Sequence, residues 1–327
     1  WWVVLAISAI IAVGLFPLRI LFGIWPAVLM SLFVAWDPFY IALSRQLHPD
    51  GMLASLVYLS LLLYLAWLYG GRQRLFLIGS GIAMGLAWLT KTPAIFLTGA
   101  IGLLAAIDLL SSDGGRKRFV LEMAGWAAIA IFTALLLWPA LWTGPLTVWN
   151  QVAEAMRGYA GGHENPAYFM GQVTDDPGIF FYPVALLLRW TPATLFSLIG
   201  AALLAVRFVW PFTHQRHRRA AAGLLLFVGV YLVGMSLGNK QFDRYALPAI
   251  VVLDVIAALG LIGLAQWLVE RTRRKPPSTD DPKTLALPAR AAVIGSLAVI
   301  VTMHALFALR HAPLYLTYYN PLLGGIR

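Results

Sequence analysis

The feature that most constrains this chain is a succession of apolar runs, each near the length that crosses a bilayer. They lie near 24–44, 51–69, 75–90, 93–110, 119–141, 180–208, 221–237, 246–268 and 291–309. An opening run, "WWVVLAISAIIAVGLF", is shorter than the ~20 residues a full span needs. Hydrocarbon offers no water to backbone N–H and C=O groups, so each run must satisfy its own as a helix. The expected fold is all-α, a polytopic transmembrane bundle of about ten passes with helices in its extracytoplasmic loops.

Composition agrees. The chain has 327 residues, 60% hydrophobic and 12% charged, with a mean hydropathy of +0.78, whereas soluble domains are roughly 25% charged. It contains no cysteine, which excludes disulfides, thiolate metal sites and thiol nucleophiles. A net charge of +10 does not call for nucleic acid, because a basic excess in a membrane chain sits in cytoplasmic loops. Trp1 opens within an apolar run and lacks the basic start of a signal peptide, and "NPLLGGIR" stops in a loop-like segment. The expectation is one transmembrane domain over 1–327, cut at its N-terminus and also at its C-terminus.

The loops alternate in Lys and Arg. Arg19, then Arg72 and Arg74, then Arg116 to Arg118, then Arg207 with Arg216, Arg218 and Arg219, and finally Arg271 to Arg290 form one set. The positive-inside rule makes that set cytoplasmic. Its last stretch, 270–290, reads as a solvated linker rich in Pro, Ser and charge. The other set, "SRQLHPDG", "TKTP", the long segment 142–179, "GNKQFDRYALP" and "RHAPLYLTYYNPLLGG", then faces outward and holds every unusual polar constellation.

On that face Asp50 sits at the head of an apolar run. It reads either as an acid near a helix N-terminus or N-cap, or as a metal ligand, acceptor contact or general base. Lys91 separates two runs, with Pro93 opening the next helix. Lys240 and Arg244 flank Asp243 against the orientation rule, and Arg189 lies inside an apolar run where lipid penalises it. Pairing with acids is the structural alternative for these cations. Together they suit a phosphate or pyrophosphate, since arginine offers a fork and lysine a point charge. The loop 142–179 and its exits add His163, Glu164, Tyr168 and Tyr182 beside Trp142, Trp149, Tyr159, Phe169, Phe180 and Phe181; these aromatics suit an interfacial belt or stacking on sugar rings, and the loop reads as an active-site lid. Asp175 and Asp176 read as a turn or as a cap of the helix near Phe180. One His beside one acid is a weak metal signature, so no cofactor is required. His163 and Glu164 are the candidate ligands of a possible divalent cation.

The blocks "DPFYIALSRQLHPDGMLASLVYLSLLLYL", "GLAWLTKTPAIFL", "GHENPAYFMGQVTDDPGIFFYPVALLLRWTPATL", "KQFDRYALPAIVVLDVIAALG" and "APLYLTYYNPLLGG" resemble, in order, those of phospholipid-carrier-dependent glycosyltransferases. These are relatives of protein O-mannosyltransferases and lipid A aminoarabinose transferases with the GT-C fold. The resemblance implies a cell-membrane enzyme that transfers a sugar from a polyprenyl-phosphate donor to a lipid, glycan or protein acceptor, with inversion. It matches Asp50 to the family's acid after the "alsR" block, Lys91 to its "LTK" lysine, and Arg244 with Tyr245 to its "RY" near the carrier phosphate. The family's usual base lies in an earlier loop, upstream of Trp1. A transporter or flippase of lipid-linked or anionic solutes is the rival, and it predicts ionisable residues at mid-membrane in both halves. A silent assembly scaffold is a third reading.

Overall fold

The computed structural model describes residues 1–46, 48–111, 115–160, 167–207, 209, 211–238, 241–273 and 286–323. In order these form α1 (Trp2–Phe22), α2 (Ile24–Ala35), α3 (Pro38–Ser44), α4 (Pro49–Tyr69), α5 (Arg74–Thr90), α6 (Ile95–Ser111), α7 (Arg116–Leu137), α8 (Ala140–Thr143) and α9 (Pro145–Ala160). A hairpin of β1 (Ala167–Phe169) and β2 (Gln172–Thr174) follows, then α10 (Phe181–Arg189), α11 (Pro192–Val206), α12 (Gln215–Ser236), α13 (Leu247–Arg273) and α14 (Ala286–Arg310). The helical bundle is as expected. Its sole extended structure among the described residues is the hairpin, with Tyr168 opposite Val173.

Among the described residues six helical segments are long and apolar enough to cross a membrane: Trp2–Phe22, Pro49–Tyr69, Thr92–Ser111, Arg116–Leu137, Gln215–Ser236 and Asp243–Leu268. The opening run is therefore no partial span. The helix continues through Pro17 for 21 residues, which puts Arg19 in its last turn rather than in a loop. Proline is tolerated there because neighbours in a membrane bundle compensate the lost bond.

The runs 24–44 and 180–208, expected as single spans, are each broken. The chain bends by 63° between α2 and α3 and by 117° between α10 and α11. Both breaks have the same local cause. Proline forces the residue before it into extended backbone, and a short polar side chain there caps the next helix. Asp37 Oδ1 accepts the Tyr40 N–H at 2.6 Å and the Thr191 hydroxyl accepts that of Thr194 at 3.1 Å. Taking each bent pair as one span gives up to eight, with Arg74–Thr90 and Leu297–Arg310 as shorter apolar helices beside them.

Helices α4 and α13 form the centre, with Tyr58, Tyr64 and Trp67 fully buried, while α1, α6, α7 and α12 turn apolar residues such as Phe16, Leu103, Phe132 and Val233 outward. Lipid is as apolar as leucine, so helices in a membrane associate through close packing and polar cross-links. Ser60 and Ser80 each donate to the other's carbonyl at 2.9 Å, and Trp126 donates to the Ser80 hydroxyl at 3.1 Å, tying α4, α5 and α7. A second cross-link joins the two breaks. His304 reaches the Phe33 carbonyl at 3.0 Å and the Thr191 hydroxyl at 2.9 Å, and Thr194 donates to Asp254 at 3.3 Å.

Charges gather at the two ends. Arg72 pairs with Asp108 at 2.7 Å and Arg118 with Glu122 at 3.1 Å at one end, and Asp50, Lys91 and Arg244 meet at the other. Within 142–179 the described residues form the end of α8, then α9 and the hairpin. Asp176 makes a turn, its carboxylate accepting the Gly178 N–H at 3.0 Å, and α10 has no side-chain cap. The linker expected at 270–290 narrows, because α13 runs to Arg273 and α14 starts at Ala286.

Candidate active site

The site is built where α4 begins. His48 is the N-cap of α4, its Nδ1 facing the Asp50 N–H at 3.4 Å, so the capping role proposed for Asp50 falls to its neighbour. Asp50 occupies the first turn instead, where a carboxylate complements the positive end of the helix dipole. Helix α3 passes so close that a Cβ on Gly51 would lie 2.8 Å from Ser44 Cα and 2.9 Å from the Leu43 carbonyl. Glycine at 51 thus lets α3 and α4 touch, and Asp50 is left only 2% exposed.

Three basic side chains surround that carboxylate. Lys91, the C-cap of α5, sets Nζ 2.5 Å from Asp50 Oδ1 and 4.3 Å from the centre of the Tyr245 ring. His48 Nδ1 lies 2.9 Å and Arg244 Nε 3.8 Å from Oδ2. Arg244 stands on the turn Asp243–Ala246 that leads into α13, and its guanidinium rests against Phe242 at 4.9 Å and Tyr245 at 5.5 Å. Residues 48, 50, 91, 244 and 245 are therefore one cluster. It holds one carboxylate against two permanent cations, a surplus of one positive charge. The Arg244 side chain is 38% exposed, and its Nε has no hydrogen-bond partner among the described residues.

Arg189 has a different fate. At 5% exposure it gives Nε and Nη2 to Asp243 Oδ2, Nη1 to the carbonyls of Leu316 and Tyr318, and Nη2 again to the Tyr319 hydroxyl. Those contacts use all five donors of a guanidinium. The free phosphate ligand expected at Arg189 is thus an internal clamp, because α10 ends there and its last carbonyls need partners. The segment after α14 supplies them: Asn320 donates to Leu188 at 2.7 Å and to Leu187 at 3.3 Å, and Tyr318 to Trp190 at 3.3 Å. Beside the clamp is a cavity of about 270 Å³, walled by apolar Phe169, Phe181, Val184 and Leu188 and by polar Gln241, Asp243 and Tyr319.

Of the remaining candidates, Tyr182 is fully buried, its ring edge-on to Phe181 at 5.2 Å, and offers no surface for a sugar. Helix α10 turns it inward, whereas Phe180, Trp142 and Trp149 are exposed. Tyr168 lies on the β1 backbone and its side chain is outside the described residues, as are His163, Glu164 and Lys240. Among the described residues no group of three His, Asp or Glu is placed to hold a metal. Sequence reading passed over Asp243, Tyr319 and His48 as partners. The "HPD" before an apolar run carried a capping signal for His48, while no local pattern ties Tyr319 to Arg189, 130 residues away.

Residues 1–148 match the family model of dolichyl-phosphate-mannose-protein mannosyltransferases. Comparison with curated proteins finds no match. Among solved structures, ArnT from Cupriavidus metallidurans bound to undecaprenyl phosphate is similar with a TM-score of 0.60 at 16% identity, over 97% of this chain and 61% of that one. The apo ArnT structure gives 0.54 at 18% identity, over 94% and 57%. The chain thus spans about three fifths of the ArnT chains it matches. The resemblance carried by the ordered sequence blocks is borne out: the N-terminal 148 residues are similar to the protein mannosyltransferases, and nearly the whole chain has the fold of ArnT.

Proposed function

We propose that the protein is a membrane glycosyltransferase that takes a sugar from a polyprenyl-phosphate carrier and passes it, with inversion, to an acceptor on the extracytoplasmic face. The observation that carries this reading is the convergence of Lys91 and Arg244 on buried Asp50, leaving a net positive charge and an open guanidinium at one end of the bundle. An anionic phosphate completes such a set. Undecaprenyl phosphate is what the similar ArnT structure holds.

In this reading Lys91 and Arg244 stabilise the charge that develops on the departing lipid phosphate, the kind of interaction that lowers a transition state most. Asp50, held between them, orients both cations, and Tyr245 supports them from below through its ring. The rival transporter reading would draw on the two broken spans and on buried Asp37, Asp254 and His304. His304 and one oxygen of Asp254 are, however, taken up in bonds that fix the breaks.

Donor-lipid affinity measured on the full-length protein tests the proposal. Arg244→Ala should cost about 1.5–3 kcal/mol, the value of a hydrogen bond to a charged group, and Arg244→Lys should recover part of it because the fork is lost. Unchanged affinity in a folded Arg244→Ala protein places the phosphate elsewhere.

A further inference from the structure

At the opposite end of the bundle a cavity of about 290 Å³ opens between the ends of α11 and α13, lined by Arg207, Val209, Trp267, Glu270 and Arg271. Arg207 is the C-cap of α11, and the Arg271 guanidinium lies 4.7 Å from the centre of the Trp267 ring. A helix C-terminus favours one cation. It does not account for two guanidinium groups sharing one cavity, neither of them in an ion pair with Glu270 or another acid among the described residues. Two arginines that line one cavity favour an anion between them.

The surroundings indicate where that anion comes from. Val206, next to Arg207, is 80% exposed, and Leu268, one turn before Arg271, is 53% exposed. Exposed apolar residues of two packed helices thus neighbour in sequence the arginines that line the cavity. Trp267, which also lines it, is a residue type that marks membrane interfaces. A free phosphate would use the arginines alone; a phospholipid uses the arginines for its phosphate and the apolar residues for its acyl chains.

We propose that Arg207 and Arg271 form a binding site for the phosphate of an anionic phospholipid in the leaflet opposite the candidate active site. The site is independent of sugar transfer. Arginine forks the phosphate oxygens, Trp267 holds the Arg271 guanidinium flat, and Glu270 turns away a second anion.

Native mass spectrometry of the full-length protein, given phosphatidylglycerol or phosphatidylcholine in detergent, reads the site directly. Wild type should retain phosphatidylglycerol preferentially, and the Arg207→Gln/Arg271→Gln variant should lose about tenfold or more of that preference, as for charge-assisted hydrogen bonds removed. The Arg74→Gln/Arg216→Gln variant removes the same charge from neighbouring basic loops and should keep the preference. An equal loss in both variants reduces the effect to diffuse attraction and overturns the site. Full displacement by an equal concentration of inorganic phosphate would make the ligand a free anion, and overturns the lipid assignment.

Discussion

Replacing Arg189 by methionine removes the clamp while keeping most of the side-chain volume. The structure shows what is lost: two bonds to Asp243 and three to the segment that carries Leu316, Tyr318 and Tyr319. Each bond from a charged donor is worth about 1.5–3 kcal/mol taken alone, but bonds from one guanidinium are not additive. Asp243 is itself 35% exposed, so water compensates its lost partner and the buried-pair penalty applies only in part. A net cost of about 3 kcal/mol for docking of the segment follows. It corresponds to a roughly 100-fold rise in its open population. Hydrogen exchange of the Asn320 amide, bonded to the Leu188 carbonyl at 2.7 Å, reports that opening. Exchange should rise about that much at Asn320 in Arg189→Met and little in the buried amides of α4 and α13. Arg189→Lys should recover only part, since one ammonium, with three donors, cannot reach all four acceptors. Unaltered exchange at Asn320 would show that the neighbouring Asn320 and Tyr318 bonds hold the segment without the arginine.

Asp50→Asn in the full-length enzyme should cut turnover about 100-fold or more by releasing Lys91 and Arg244 from their orienting carboxylate, the order lost when one preorganised electrostatic contact goes; its thermal stability should fall only modestly, and normal turnover would remove Asp50 from the site. Gly51→Ala should disturb both folding yield and turnover, because its Cβ meets the backbone of α3; a crystal or solution structure with an unmoved α3 would contradict this. Ser80→Ala should cost about 0.6–1.7 kcal/mol, the range for polar cross-links between membrane helices, read as a lower unfolding midpoint in detergent. In cells, Met170→Cys should react with an impermeant thiol reagent and Arg216→Cys should not; the reverse pattern would invert the orientation.

The apolar runs and the alternation of Lys and Arg were enough to predict a helical membrane bundle and to sort its loops into two sets. Both rest on local physics: backbone groups need partners in lipid, and charge placement is read loop by loop. The grouping of Asp50, Lys91 and Arg244 at one end followed from that sorting, and the proposal of an anion site there from residue type. Which cations remain available was not legible. Arg189 and Arg244 look alike along the chain, yet the 117° break after α10 turns Arg189 into a cradle of carbonyls while Arg244 faces outward. The breaks themselves were written as Asp-Pro and Thr-Pro, but an apolar count runs straight through both, and bonds from α13 and α14 hold each bend in place. Tyr182 shows the same limit: its position in the chain placed it at the loop's exit, and α10 turns it into the core. Sequence determines what each segment must satisfy by itself, and tertiary structure decides which partner, often a hundred residues away, satisfies the rest.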